Sequence, residues 1–251
     1  MASTGKTFPP VFGNGPNACP FTSAYQLICA AMVACGIEFE VPTFHYPSKL
    51  LGDWRERDGL KRGEFGEARD WFIRLLSNPP DGLVGTFLEL LGNPVKTIAR
   101  RRTTQQRFAL ESKKFHPILR LEGGKPIQED IQQALNGFVG DNTVDGMLFD
   151  DCPRMLLVEL PSLERKWHSR NLELEVFPKT YAATKRTLKV TANMVGFICD
   201  WSGHYTAVVK YEDDWYHTDC KTKNREITIV ETMRLFKSNG YLALFSCERL
   251  E

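Results

Sequence analysis

Ser202-Gly203-His204-Tyr205-Thr206-Ala207-Val208-Val209-Lys210-Tyr211-Glu212-Asp213-Asp214-Trp215-Tyr216-His217-Thr218-Asp219 reads as strand, turn, strand. Both runs are rich in β-branched and aromatic residues, and the acidic trio between them supplies the turn. An antiparallel hairpin folded there brings His204 and Asp219 to the same open end, within a residue or two of opposite. His217 lies two residues before Asp219 and so shares its face, because side chains alternate along a strand.

Working outward, further strand-length runs flank this hairpin. Residues 155–160 are apolar almost throughout, and 172–177, 187–192, 195–198 and 241–246 carry strand composition, as does much of 104–121. Short strands at this spacing, with turn residues between them, imply an antiparallel sheet. The first hundred residues read differently. An apolar, Ala-rich run from Ala24 to Ile37 predicts a buried helix ended by Gly36. Glu67 to Leu76 carries an i, i+3, i+4 stripe at Phe72, Leu75 and Leu76 and is closed by Pro79-Pro80. A further helix is expected at 83–91, and a short amphipathic one from Ile127 to Phe138. Helices first and strands afterwards is the α+β pattern, with a sheet packed on a helical lobe.

The chain has 251 residues, enough for one large domain or two small ones, and a net charge of +1. That balance argues against nucleic acid or an acidic membrane surface as the main partner. Arg100-Arg101-Arg102 is the one basic block, expected in a solvated helix end or loop rather than a binding patch. The longest apolar run, near Leu27 to Ile37, is too short to span a bilayer, and residues 1–10 lack the pattern of a secretion signal. Seven cysteines, an odd number without C-x-x-C pairs, fit neither a disulfide framework nor a four-cysteine zinc site. A reducing compartment, cytoplasm or nucleus, is the expected home, with no metal and no cofactor.

One cysteine has a particular context. In Asn14-Gly15-Pro16-Asn17-Ala18-Cys19-Pro20-Phe21-Thr22-Ser23 a turn-forming cluster ends at Cys19, and the apolar helix follows. Proline is well tolerated at the first helical position, which puts Cys19 at or just before the helix start. Exposed N–H groups and the positive end of the helix dipole favour an anion there, and thiolate is the nucleophile in cysteine chemistry. The plainer alternative is a small apolar residue capping a buried helix.

A cysteine nucleophile needs a base, and the base needs an orienting partner. His204, beside Gly203 at a strand start, suits the base, and Asp219 can hold its other ring nitrogen. His217 is the rival base. Asn14 can donate its side-chain amide to a developing oxyanion together with the Cys19 N–H, with Asn17 as the alternative.

These stretches resemble the ubiquitin-specific proteases, a family of papain-like cysteine isopeptidases. The family's cysteine box, G-x-x-N-x-G-N-T-C-Y-x-N-S-x-x-Q, is similar to Asn14, Asn17-Ala18-Cys19, Ser23 and Gln26. Its G-H-Y box and following W-x-x-F-D-D are similar to Gly203-His204-Tyr205 and to Trp215 through Cys220. Pro153 to Leu160 resembles its L-P-x-x-L-x-x-x-L-x-R strand, Tyr241 to Phe245 its closing A-Y-x-L-F-Y strand, and Glu67 to Leu76 its Q-Q-D-A-x-E-F-L-x-x-L-L helix. The resemblance implies a single catalytic domain over 1–251: a helical thumb (1–110), reduced fingers (104–150) and an antiparallel β palm (145–251). It implies Cys19 as nucleophile, His204 as base, Asp219 as orienter and Asn14 as oxyanion donor. It further implies that the C-terminal tail of ubiquitin or a ubiquitin-like protein is bound, with Glu67 holding a tail arginine and Gly203 and Tyr205 near its Gly-Gly end. The chain departs from the family at Pro16, Ala18, Pro20 and Cys220, and it lacks the zinc-binding pairs of the fingers. A modifier-binding scaffold module and a protease of ordinary polyprotein bonds therefore stand as alternatives.

Overall fold

The apolar run at 155–160 becomes a strand buried on both faces, as near-continuous hydrophobic composition requires. The computed structural model that shows this describes residues 97–102, 108–115, 118–136, 138–140, 143–149, 152–153, 155–160, 171–178, 184, 186–211, 213–219 and 224–250, together with Cys19, Ser23, Ala24, Gln26, Leu27, Ala30 and Ala34. In chain order the elements are β1 (Thr97–Arg102), β2 (Phe108–Phe115), β3 (Ile118–Arg120), α1 (Ile127–Asn136), β4 (Phe138–Gly140), β5 (Thr143–Phe149) and β6 (Met155–Glu159). They continue with β7 (Asn171–Pro178), β8 (Leu188–Asp200), β9 (Tyr205–Tyr211), β10 (Asp214–Thr218), β11 (Arg225–Ile227), α2 (Ile229–Asn239) and β12 (Gly240–Arg249). The described residues thus build a mostly antiparallel sheet with two helices, in two compact units.

One unit comprises Asn93–Phe197 and Met233–Glu251. In it β6 lies between β3, a parallel neighbour, and β12, an antiparallel one, with Val158 opposite Leu119 and Ala243. Leu156, Leu157, Val158, Leu242, Ala243, Leu244 and Phe245 are all buried there. β7 alternates exposed and buried residues and pairs antiparallel with β8 from Asn171 opposite Asn193 to Val176 opposite Leu188. Leu172, Leu174 and Val176 form its inner face. α1 buries Ile127, Ile131 and Leu135, the i, i+4, i+8 stripe of an amphipathic helix.

The other unit comprises Met1–Gly92 and Ile198–Thr232. Its described part holds the helical residues around Cys19, the end of β8, the meander β9–β10–β11 and the start of α2. β9 and β10 pair antiparallel from Tyr211 opposite Asp214 to Ala207 opposite Thr218, and β10 pairs with β11.

Several expectations are corrected. The sheet is not purely antiparallel, since β3–β6 and β5–β7 run parallel. Arg100-Arg101-Arg102 is neither a helix end nor a loop: it ends β1, whose backbone is laddered to β2 on one side and β5 on the other. Hydrogen bonding on both edges overrode the charge run as a local signal. The two strands expected at 187–192 and 195–198 are one thirteen-residue strand. Asn193 does not break it, because it pairs with Asn171 and its carbonyl accepts the Ser246 hydroxyl at 3.4 Å. β4, β5, β11 and α2 were not expected at all. The helices expected at 67–76 and 83–91 lie outside the described residues.

Candidate active site

The chemistry begins at a turn. β8 and β9 are neighbours, joined through Trp201-Ser202-Gly203-His204, where the Trp201 N–H donates to the His204 carbonyl at 2.9 Å. φ is +58° at Ser202 and +103° at Gly203. Positive φ at both central residues is the I′ pattern, whose twist matches that of the strands it joins. Glycine takes such a φ without strain from a Cβ. The Asp200 carboxylate accepts the Ser202 N–H at 3.0 Å and fixes the entry to the turn. Gly203 is therefore the second corner of a tight hairpin that delivers His204 at a fixed point.

His204 meets Asp219 across that hairpin end. Nε2 of the imidazole lies 3.0 Å from Asp219 Oδ1, with both side chains about one-fifth exposed. A carboxylate can only accept, so Nε2 carries the proton and donates. In the neutral ring Nδ1 is then a lone-pair acceptor. Nδ1 is shut away from solvent and has no hydrogen-bond partner among the described residues. A buried nitrogen left open in this way calls for an explanation, and a lone pair there is able to accept a proton.

His217, the rival, is engaged elsewhere. Its Nε2 lies 2.9 Å from Thr206 Oγ1, and the same hydroxyl accepts the Trp201 indole N–H at 2.9 Å. Burial, and next the nearby Arg225 guanidinium, push the His217 imidazole below its ordinary value, against the opposing pull of Asp219 and Glu231. Arg225 itself forks onto Glu231, with contacts of 3.1 and 2.6 Å. His217 is thus a neutral structural imidazole near pH 7.

Cys19 is helical, partly exposed and a free thiol. Ser23, Leu27 and Ala30, at the fourth, eighth and eleventh positions after it, are helical and buried, while Ala34 is exposed. Cys19 therefore shares the helical spacing of these buried residues while remaining partly exposed itself. Cys19, His204 and Asp219 belong to one compact unit. Tyr205 is half-buried and, one residue along β9, faces away from His204. Asn14, Asn17 and Glu67 lie outside the described residues. Trp201 and Thr206 were missed by the sequence reading. The alternation that places Thr206 on the face of His204 was the signal available for one of them.

No protein-family model and no curated protein matches the sequence. Solved structures do match in shape. A chain in the structure of the SAGA Ubp8/Sgf11/Sus1/Sgf73 DUB module aligns with a TM-score of 0.56 and 10% identity, over 99% of this chain and 72% of that one. The same module bound to ubiquitin aldehyde gives 0.55 and 12%, over 97% and 70%. The Saccharomyces cerevisiae apo Pan2 pseudoubiquitin hydrolase–RNA exonuclease module in complex with AAUUAA RNA gives 0.60 and 12%, over 99% of this chain and 56% of that one. The likeness is one of fold. These ubiquitin-hydrolase-like modules share this chain's architecture at low identity. Among the described residues no helix is long and apolar enough to cross a membrane.

Proposed function

We propose that this chain is a thiol isopeptidase of the ubiquitin-specific protease type, cleaving after the C-terminal glycine of ubiquitin or a ubiquitin-like protein. The observation that carries the reading is the His204 ring, with Nε2 committed to Asp219 at 3.0 Å and Nδ1 buried without a partner among the described residues. In this reading residues 1–110 are the helical thumb, 104–150 reduced fingers and 145–251 the β palm. Glu67, Gly203 and Tyr205 meet the modifier's tail.

The chemistry follows from those roles. Nδ1 of His204 takes the proton of Cys19 Sγ, and the thiolate attacks the carbonyl carbon of the terminal glycine. Asp219 stabilises the imidazolium and keeps the ring in the tautomer that leaves Nδ1 open. The Cys19 N–H and the Asn14 amide donate to the oxyanion. Collapse of the tetrahedral species expels the lysine amine, which takes the proton from Nδ1, and leaves a thioester on Cys19. A water that loses its proton to Nδ1 then cleaves the thioester, releasing the modifier's carboxylate and regenerating the thiol.

Ubiquitin carrying an electrophilic C-terminus tests the reading. It should modify Cys19 in the intact chain and modify neither Cys19→Ala nor, at any comparable rate, His204→Ala. Equal modification of the Cys19→Ala protein would sink the assignment. A panel of ubiquitin-like tails would then fix the modifier. The fold shared with the Pan2 pseudoubiquitin hydrolase module favours a second reading, a modifier-binding module without turnover. Calorimetric binding of unreacted modifier, with no probe adduct at Cys19, would select it.

A further inference from the structure

We propose that Thr206 is a positioning residue for His204: its buried hydroxyl ties the hairpin turn to β10 and so sets the His204–Asp219 contact. The proposal rests on the isopeptidase reading for its kinetic consequences, but the geometry stands by itself.

The Trp201 indole N–H can only donate, so Thr206 Oγ1 accepts it at 2.9 Å. Thr206 is 2% exposed, and water is not at hand for its own proton. That proton finds an acceptor in His217 Nε2, at 2.9 Å, when the imidazole is neutral. The Trp201 indole N–H and the Thr206 hydroxyl proton are then both matched. The charged groups nearest His217 are Asp219 at the end of β10, Arg225 on β11 and Glu231 on α2, with His204 beside them.

Followed round, the contacts close a ring. The His204 carbonyl accepts the Trp201 N–H, the Trp201 side chain bonds Thr206, and Thr206 bonds His217. His217 is two residues along the same strand face from Asp219, and Asp219 returns to His204 Nε2. The turn itself contains only Ser202 and Gly203; Asp200 holds its entry, and Trp201 ties it to Thr206. Without the hydroxyl, the turn loses the tie through Thr206 to β10 that supports the His204–Asp219 contact, and that contact is free to lengthen. Misplacement of a reacting group by even 1 Å can lower a rate by about a hundredfold.

The test uses the full chain with Thr206→Val, which keeps the shape and removes the hydroxyl, and Thr206→Ser, which restores it. The downfield Nε2–H proton resonance of His204 should broaden or vanish in Thr206→Val and return in Thr206→Ser. Probe-labelling rate and kcat should fall on the order of tenfold in Thr206→Val with KM little changed, and recover in Thr206→Ser. A Thr206→Val protein with the wild-type resonance overturns the proposal, as does a Thr206→Ser protein no better than the valine variant. Should Thr206→Val fail to fold, Trp201→Phe removes the indole N–H from a side chain that is 41% exposed. It must weaken the same resonance, and an unchanged one overturns the proposal. If the wild-type chain reacts with no modifier probe, the isopeptidase reading fails, while the resonance comparison still decides the role of Thr206.

Discussion

Asp219 orients the His204 imidazole and lends it a charge. Replacing it with asparagine keeps the size of the side chain but lets the amide donate to the ring, which favours the tautomer with the proton on Nδ1. Under the proposed mechanism that removes the base. Asp219→Asn should lower kcat by about a hundredfold or more, with KM and the unfolding midpoint close to wild type. Equal kcat in the two proteins would separate Asp219 from catalysis. His217 makes a different prediction. Burial and Arg225 lower its folded value from about 6.5. At mildly acidic pH the unfolded chain then binds more protons than the folded one, and stability rises with pH. The contribution of neutral His217 is whole above about pH 6.5 and is lost as pH falls through the lowered folded value. In melts between about pH 8 and pH 5, wild type should lose more stability than His217→Gln, which offers a non-titrating acceptor to Thr206. Parallel pH curves for the two proteins would contradict this account.

At the scale of elements, the hairpin turn is the most exacting piece of backbone in the site. A Cβ added at Gly203 would meet nothing within 4 Å, so space is not the difficulty; φ is +103°. Gly203→Ala should destabilise by about 1–3 kcal/mol from backbone strain alone. It should also slow probe labelling, because relaxing the turn moves His204. A denaturant midpoint unchanged by the substitution would mean that the turn adapts freely. The elements differ in how plainly the sequence announced them. The β9–β10 hairpin was legible because an acidic turn separates two β-branched runs, and its register followed from the turn. α2 was not, since Ile229 and Val230 look like strand residues. Its signal was Thr228-x-x-Glu231, a capping box: the Thr228 hydroxyl accepts the Glu231 N–H at 3.2 Å. Behind it, Thr232, Leu235 and Phe236 form the buried stripe. β11 has three residues and exists because β10 offers it an edge, which no local pattern encodes.

Over the whole molecule, the sequence announced the sheet and the His204–Asp219 pairing but not the parallel pairings. Parallel strands are joined through distant chain, so β3 meeting β6 and β5 meeting β7 depend on tertiary packing rather than on a turn. Likewise His204 and Asp219 could be paired from the sequence because one hairpin joins them. The Trp201–Thr206–His217 row, which needs side-chain geometry, could not. The core tests the fold itself. Phe197 and Phe236 are fully buried and meet edge to face, with ring centroids 5.2 Å apart at 85°. Phe197→Ala removes a whole ring from that contact and leaves a cavity that close-packed neighbours only partly fill, at about 3–5 kcal/mol. A domain's stability is about 5–15 kcal/mol in total, so this one change consumes a large share of it. Val230 gives the control: it is 74% exposed at the start of α2, and Val230→Ser should shift stability by no more than about 0.5 kcal/mol. Measured side by side in urea, the first variant should lose most of its midpoint and the second almost none. Similar midpoints for the two would mean that Phe197 does not sit in the packed interior from which β8 runs on to the hairpin carrying His204.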